Sequence, residues 1–232
     1  MDQRSKSAII KSNDHILEMI NQSKRVWIST DWHYVKYDKV THKISVRQEF
    51  NDIMKACSVI KPDDMWIYLG DLIDSEIQTT SHLDVIDKYV ATDKRVLLLG
   101  NNDRFNSYAN WFTETVHTVM LPEQHVILTH CPILNTEKLN IHGHIHVGEP
   151  GYESAGKYWG MYDIVPDNHV NAFTYPFRPV LLDTLLKRKP KQFVQEADIK
   201  GKPYTQDLIK KTEHEYSVLR AYYASKGVLN NV

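Results

Sequence analysis

Asp31, His33, Asp71, Asn101, His130, His144 and His146 are oxygen and nitrogen donors whose placement in a chain of 232 residues could support metal chemistry. Asp31-Trp-His33 and His144-Ile-His146 each space two donors at i and i+2, positions that point the same way in an extended segment. Asp71 follows Gly70, Asn101 follows Gly100, and Gly143 precedes His144, where glycine permits a tight backbone turn. Taken singly these are weak signals, since Asp-x-His arises by chance and an Asn after Gly is usually a turn. Carboxylate, imidazole and amide oxygen are hard-to-borderline donors that suit Mn²⁺, Fe, Zn²⁺ or Ni²⁺, and no thiolate is indicated. A closed structural zinc site needs only four ligands, typically rich in cysteine. Seven donors with one shared carboxylate fit two ions instead. Two ions ~3.5–4 Å apart can bind a bridging hydroxide and clamp both oxygens of an in-line displacement at phosphorus.

The elements that must position these donors are four short apolar runs of one design. Residues 25–30 lead into Asp31, 65–70 into Asp71, 95–100 into Asn101 and 125–129 into His130. Each has the length and the β-branched or aromatic content of a buried strand. Between the first three, Phe50, Ile53, Met54, Cys57 and Ile60 form one apolar helical face, and Leu83, Ile86, Tyr89 and Val90 form another. Alternating strands and helices imply right-handed crossovers and a parallel core, with ligands beyond the carboxyl ends of the strands. Four strands thus deliver Asp, Asp, Asn and His to one sheet edge.

Elsewhere the pattern is less regular. Residues 34–46 read as a polar, aromatic-dotted insertion and 148–162 as a long loop rich in Gly and Tyr. A late strand is expected over 170–175 and a short helix over 180–186. After the basic stretch 187–191, residues 204–225 read as an amphipathic helix with Leu208, Tyr216, Leu219 and Tyr223 near one face. The expected organisation is a catalytic domain over 1–190 and a helical appendage over 191–232, which packs on the domain or makes a homo-oligomer contact.

Composition is that of an ordinary globular chain: 42% hydrophobic, 25% charged, with a formal charge of −1. No global basic field draws in nucleic acid, so a nucleic-acid partner is not favoured. Residues 1–20 lack the continuous apolar core of a signal peptide, and no stretch is apolar enough to span a bilayer. With two cysteines and no disulfide framework, the expectation is a cytoplasmic location and no membrane partner.

In order, D-x-H, G-D, G-N-x-D, an isolated H and G-H-x-H, these motifs resemble the signature of calcineurin-like metallophosphoesterases, nearest the small enzymes of bacteria and their phages. The resemblance covers residues 25–186 and would place a phage-encoded chain in the host cytoplasm. It implies an α/β fold, an αββα sandwich of two mixed β-sheets flanked by helices, and a hydrolase with a dinuclear metal centre, manganese first among its ions. Asp31, His33, Asp71 and His146 would hold one ion, and Asp71, Asn101, His130 and His144 the other, with Asp71 bridging. Asp74 and Asp103 would orient the ligands by hydrogen bonds.

The chain departs from the family at Asn102, where a histidine usually contacts phosphate and protonates the leaving group. Asparagine can hydrogen-bond a phosphate oxygen but cannot act as a general acid, whose loss costs about 10²–10⁴ in rate for a leaving group that needs a proton. His42 or His82 could substitute, though no motif supports either. Arg104 could bind a phosphate oxygen, and Tyr34, Tyr37, Phe105, Tyr108, Trp159 and Tyr162 flank the motifs where a nucleobase could stack. His142, pointing away by alternation, reads as structural. The leading expectation is a phosphodiesterase acting on a small or nucleotide-like diester, with Asp71 and Asn102 in the catalytic machinery. The alternatives are a phosphomonoesterase, a nuclease, and a metal- or nucleotide-binding scaffold without turnover. A scaffold usually loses a ligand, and none is lost here.

Overall fold

Residues that are apolar on both faces form strands only where both faces are covered, and the strands before the donor motifs meet that condition. The computed structural model describes residues 3–38, 40–73, 83–103, 111–133, 138–146, 169–174, 176–188 and 203–229. Strand β1 (Val26–Ser29) pairs in parallel with β4 (Met65–Tyr68), and β4 with β5 (Arg95–Leu98). A fourth parallel strand, β6 (Glu114–Val116), joins β5, and β11 (Val180–Leu181) runs antiparallel to β1. The five-stranded order is β11-β1-β4-β5-β6.

A second, four-stranded mixed sheet is built in the order β10 (His169–Asn171), β9 (Leu139–His142), β8 (Val126–Thr129), β7 (Thr118–Leu121). Its strands β7 and β8 are antiparallel. Strands β9 and β10 extend it in parallel. The sheets bury one common core, with Ile28, Ile67 and Val96 of the first against Val119, Leu128 and Ile141 of the second. On the far face of the first sheet, Trp66, Tyr68 and Leu97 are covered by Ile53, Met54 and Cys57 of α2 (Phe50–Cys57) and Ile86 of α3 (Leu83–Asp87). The fold is therefore two mixed sheets flanked by helices.

The structure adds a helix that the sequence reading did not anticipate. Helix α1 (Gln3–Asn21) contacts β6 and β7, the edge strands of the two sheets, and sends Ile16 and Met19 into the central core. Its Asn13 side chain accepts the Met120 N–H at 2.9 Å and donates to the Met120 carbonyl at 3.2 Å. An amide thereby satisfies an edge strand that would otherwise expose its backbone. The segment 180–186, expected as helix throughout, begins as β11 and turns helical only at α4 (Leu182–Leu186). Pairing of Trp27 with Leu181 supplies the reason, because β1 needs a partner on that side. The insertion at 34–46 contains a two-stranded hairpin of β2 (Val35–Asp38) and β3 (Lys43–Val46), whose β3 side chains are exposed. Helix α5 (Pro203–Ser225) buries Leu219 and Tyr223 against Met120 and the apolar side chains of α1. Among the described residues, no helix is long and apolar enough to cross a membrane.

Candidate metal centre

Pairing of β1 with β4 does not stop where the strands end. Leu69 N–H donates to Ser29 O at 2.8 Å, Asp31 N–H to Gly70 O at 3.0 Å, and His33 N–H to Asp71 O at 3.1 Å. Tyr34 N–H then donates to Leu72 O at 3.1 Å. The two acidic exits are therefore laced together as they leave the sheet. Within this lacing the backbone is left-handed at Asp31 (φ 56°), His33 (φ 40°) and Asp71 (φ 61°), and again at His144 (φ 69°). The expectation that i and i+2 donors converge through an extended backbone is thus corrected, because left-handed turns aim them instead. Such turns cost about 1–2 kcal/mol per non-glycine residue, and Asp and His are among the types that tolerate them. Strain of this kind concentrates at functional sites.

Glycine is required where loops from different strands cross. Gly70 sits at φ 95°, and a Cβ there would lie 2.6 Å from His130 Nδ1. A Cβ at Gly100 would overlap the Asp71 carboxylate, and one at Gly143 would overlap the Thr30 hydroxyl and the Asp31 carboxylate.

All seven candidate donors gather at this edge. Asp71 Oδ2 lies 3.5 Å from both His33 Nε2 and His130 Nε2. Asp31 Oδ1 lies 3.3 Å from His146 Nε2, while its Oδ2 accepts the His144 N–H at 2.8 Å and the Thr30 hydroxyl at 2.5 Å. The His33 and His146 rings stand 5.1 Å apart, as do those of His130 and His144. Asn101 Oδ1 lies 2.9 Å from His130 Nε2. Ligand atoms of Asp31, His33 and His146 fall within 4.8 Å of one another, and so do those of Asp31, Asp71 and His130.

Two features of this arrangement suit cations. Asp31 Oδ1 is buried yet accepts no hydrogen bond. His130 Nδ1 contacts the Leu69 carbonyl at 2.7 Å, which places a proton on that nitrogen and leaves Nε2, 2.9 Å from Asn101 Oδ1, as the ring atom that faces the site. A proton on Nε2 or a cation lying against both atoms satisfies this pair. Burial lowers the His130 pKa, but Asp71 and Asp31 outweigh it and hold the ring above its ordinary value. Burial likewise pushes the Asp31 and Asp71 carboxyls up, and the surrounding histidines return both below the usual range. Burial takes His144 down to about 3, so its ring is neutral and able to ligate.

Asp103 joins the two neighbouring loops. Its Oδ2 accepts N–H groups of Asp71 and Gly100, both at 2.8 Å, and its Oδ1 accepts that of Leu72 at 3.2 Å. One carboxylate thus pins the exit of β5 to that of β4. Burial, and then the neighbouring Asp71, push its pKa up to about 7. Asn102 donates its backbone N–H to Asp71 Oδ1 at 2.8 Å and its side-chain amide to Asp71 Oδ2 at 2.7 Å.

Several neighbours carried no signal in the sequence. The Thr30 hydroxyl restrains Asp31, Phe173 stacks on His146 at 5.0 Å, and the buried Cys131 brings its sulfur within 4.8 Å of ligand atoms of His130 and His144. Only the adjacency of Thr30 and Cys131 to donor residues could have flagged them. His142 is buried, with Nδ1 against Gly143 O at 2.8 Å. His42 is exposed beside β3, and Tyr34 is buried and stacked on Phe50, which removes it from base stacking. Asp74, His82, Arg104, Phe105, Tyr108, Trp159, Tyr162 and the Tyr37 side chain lie outside the described residues.

Residues 24–195 match the family model of the calcineurin-like phosphoesterases, and the chain belongs to that family. It is accordingly a metal-dependent phosphoric ester hydrolase, of a family that binds two divalent ions. Among solved structures it is similar to a protein of unknown function, AQ665 from Aquifex aeolicus, with 18% identity and a TM-score of 0.46 over 69% of this chain and 96% of that one. It is also similar to the nuclease MPE of Pseudomonas putida, with 18% identity and a TM-score of 0.37 over 53% of this chain and 62% of the nuclease. No curated protein matches the chain.

Proposed function

We propose that the protein is a phosphodiesterase acting on a small or nucleotide-like diester. In this reading Asp31, His33, Asp71 and His146 hold one divalent ion and Asp71, Asn101, His130 and His144 the other, with Mn²⁺, the ion the family resemblance puts first, among those the donors suit. Such ions, when bound, supply a nucleophilic water at neutral pH and neutralise charge on the phosphoryl oxygens. The chain's own contribution begins with Asp71, whose two oxygens are oriented by the backbone and side chain of Asn102. An asparagine amide carries two N–H donors, so one remains for a phosphoryl oxygen after the bond to Asp71.

The observation that carries the diester reading is Asn102 itself. It donates to Asp71 and has no proton to give a departing alkoxide. Asp103, whose pKa is near neutral, is committed to three backbone N–H groups. A site of this kind favours substrates whose leaving group departs without help.

The test compares bis(p-nitrophenyl) phosphate with p-nitrophenyl phosphate in Mn²⁺, using metal-free protein and Asp71→Asn as controls. The nitrophenolate leaves without a proton, so the assay reads the metal centre independently of Asn102. Metal-dependent cleavage of the diester with little monoester cleavage, abolished in Asp71→Asn, is the expected result. Preferential monoester cleavage overturns the diester assignment, and no turnover with two ions bound overturns the catalytic one.

A further inference from the structure

A cleft of about 300 Å³ opens beside the metal centre, between the Asn101 loop and α5. Asn101, Leu99 and His117 line it from the body of the fold, and Asp207, Leu208 and Lys211 line it from the helix. Asn101 also touches His130, so one residue borders both the cleft and the metal centre. The opposite wall comes from α5, which lies beyond the family-matched residues 24–195. This chain therefore adds its own side to a site whose metal ligands are the family's.

The lining is amphipathic. Leu99 and Leu208 are apolar and nearly buried. His117 Nδ1 is buried and has no hydrogen-bond partner. Burial, reinforced by Lys211, takes the His117 pKa down to about 4, so at neutral pH the ring offers one donor and one acceptor but no charge. Lys211 Nζ and Asp207 Oδ2 form an exposed pair at 2.9 Å, which places a donor and an acceptor side by side at the rim. A bare phosphate would meet little net positive charge here. A flat heterocycle with apolar faces and N–H and C=O groups along its edge meets complementary groups instead. The volume lies at the lower end of the range for small-molecule clefts, ~300–1,000 Å³.

The cleft is also held in place. Glu215 of α5 accepts the N–H groups of His117 and Thr118, each at 2.9 Å, and the Thr118 hydroxyl bonds Thr212 O at 3.1 Å. The helix wall and the His117 wall are therefore fixed to each other, which a specificity pocket requires.

We propose that this cleft binds the nucleobase of one ester arm of the substrate, with His117, Leu208 and Lys211 as the residues that determine specificity. The inference rests on the diesterase reading and narrows its substrate class to nucleoside-bearing diesters.

The experiment compares kcat/KM for two diesters with the same leaving group, thymidine 5′-(p-nitrophenyl phosphate) and methyl p-nitrophenyl phosphate. The wild type, His117→Phe, Leu208→Trp and Lys211→Glu are assayed in Mn²⁺. The expected result is a wild-type preference for the thymidine ester that falls at least about tenfold in Leu208→Trp and His117→Phe, one good hydrogen bond or filled subsite being worth roughly that much. The loss falls mainly on KM. Lys211→Glu, an exposed substitution that spares the core, guards against misfolding of the Leu208 variant and lowers the same ratio. Binding of thymidine 5′-monophosphate, measured by calorimetry on the Mn²⁺-loaded protein, provides a readout independent of turnover and weakens in the same variants. Turnover of both esters with a ratio unchanged in all three variants overturns the subsite while leaving the diesterase reading intact. If neither ester is cleaved the diesterase reading fails, and nucleotide binding unaffected by the three substitutions then overturns the subsite as well.

Discussion

Asn102 and Gly143 show how closely single residues set the chemistry. Asn102 is tied to Asp71 through both its backbone and its side chain, so the position already reaches the centre and lacks only an ionisable group. Asn102→His is expected to raise hydrolysis of alkyl phosphate esters by about 10²-fold, the lower end of what a positioned general acid contributes. The pH–rate profile should gain an ionisation whose protonated form is active. An unchanged profile would mean that the leaving group is served from elsewhere. At Gly143 the constraint is steric, because an added methyl would meet both the Thr30 hydroxyl and the Asp31 carboxylate. Gly143→Ala should weaken metal binding by about 10–100-fold, as disturbed ligand orientation commonly does, while the far-ultraviolet circular dichroism stays that of the wild type. Wild-type affinity in that variant would show that the approach of the loops is not what aims Asp31.

Elements position what residues supply, and α5 does so through a partly buried acid. Burial raises the pKa of Glu215 to about 7, although the His117 and Thr118 N–H groups pull it down. A folded pKa above the ordinary 4.5 means that the folded state holds this proton more tightly than the unfolded chain. The stability it contributes is complete below pH 4.5 and is lost as pH rises through about 7. Glu215→Gln keeps an acceptor for the two N–H groups without the charge. Its stability relative to the wild type should therefore rise across that interval, by about 3 kcal/mol, as read from melting temperatures at each pH. A difference that does not vary with pH would place Glu215 in water rather than in the α5 interface.

At this scale the limits of the sequence are also plain. The exits of β1, β4, β5 and β8 were legible because strands buried on both faces are unbroken apolar runs, so a polar donor at the end stands out. Helix α1 does carry apolar residues at helical spacing, Ile9, Ile16, Leu17 and Ile20, but its docking was not legible, since it depends on the Asn13 side chain reaching the Met120 backbone. Nor were the left-handed turns at Asp31, His33, Asp71 and His144, because these residues adopt such a backbone only when crossing loops hold them there. The convergence of the donors was readable from spacing; the backbone geometry that achieves it was not.

Over the whole molecule, the centre belongs to neither sheet alone. Asp31, His33, Asp71 and Asn101 follow strands of the five-stranded sheet, and His130, His144 and His146 follow strands of the four-stranded one. The donors meet only when the sandwich is closed, so ion binding and folding are linked, and Mn²⁺ should raise the melting temperature. The same division sets Asp71 between the two sheets. It lies 3.5 Å from His33, which follows β1, and 3.5 Å from His130, which follows β8. The most direct measurement is the number of Mn²⁺ ions bound per chain, by titration calorimetry of metal-free wild type and Asp71→Asn. Two ions are expected in the wild type and no more than one at comparable affinity in the variant. One ion in the wild type, or two bound equally well without the Asp71 carboxylate, would contradict a centre shared through that residue.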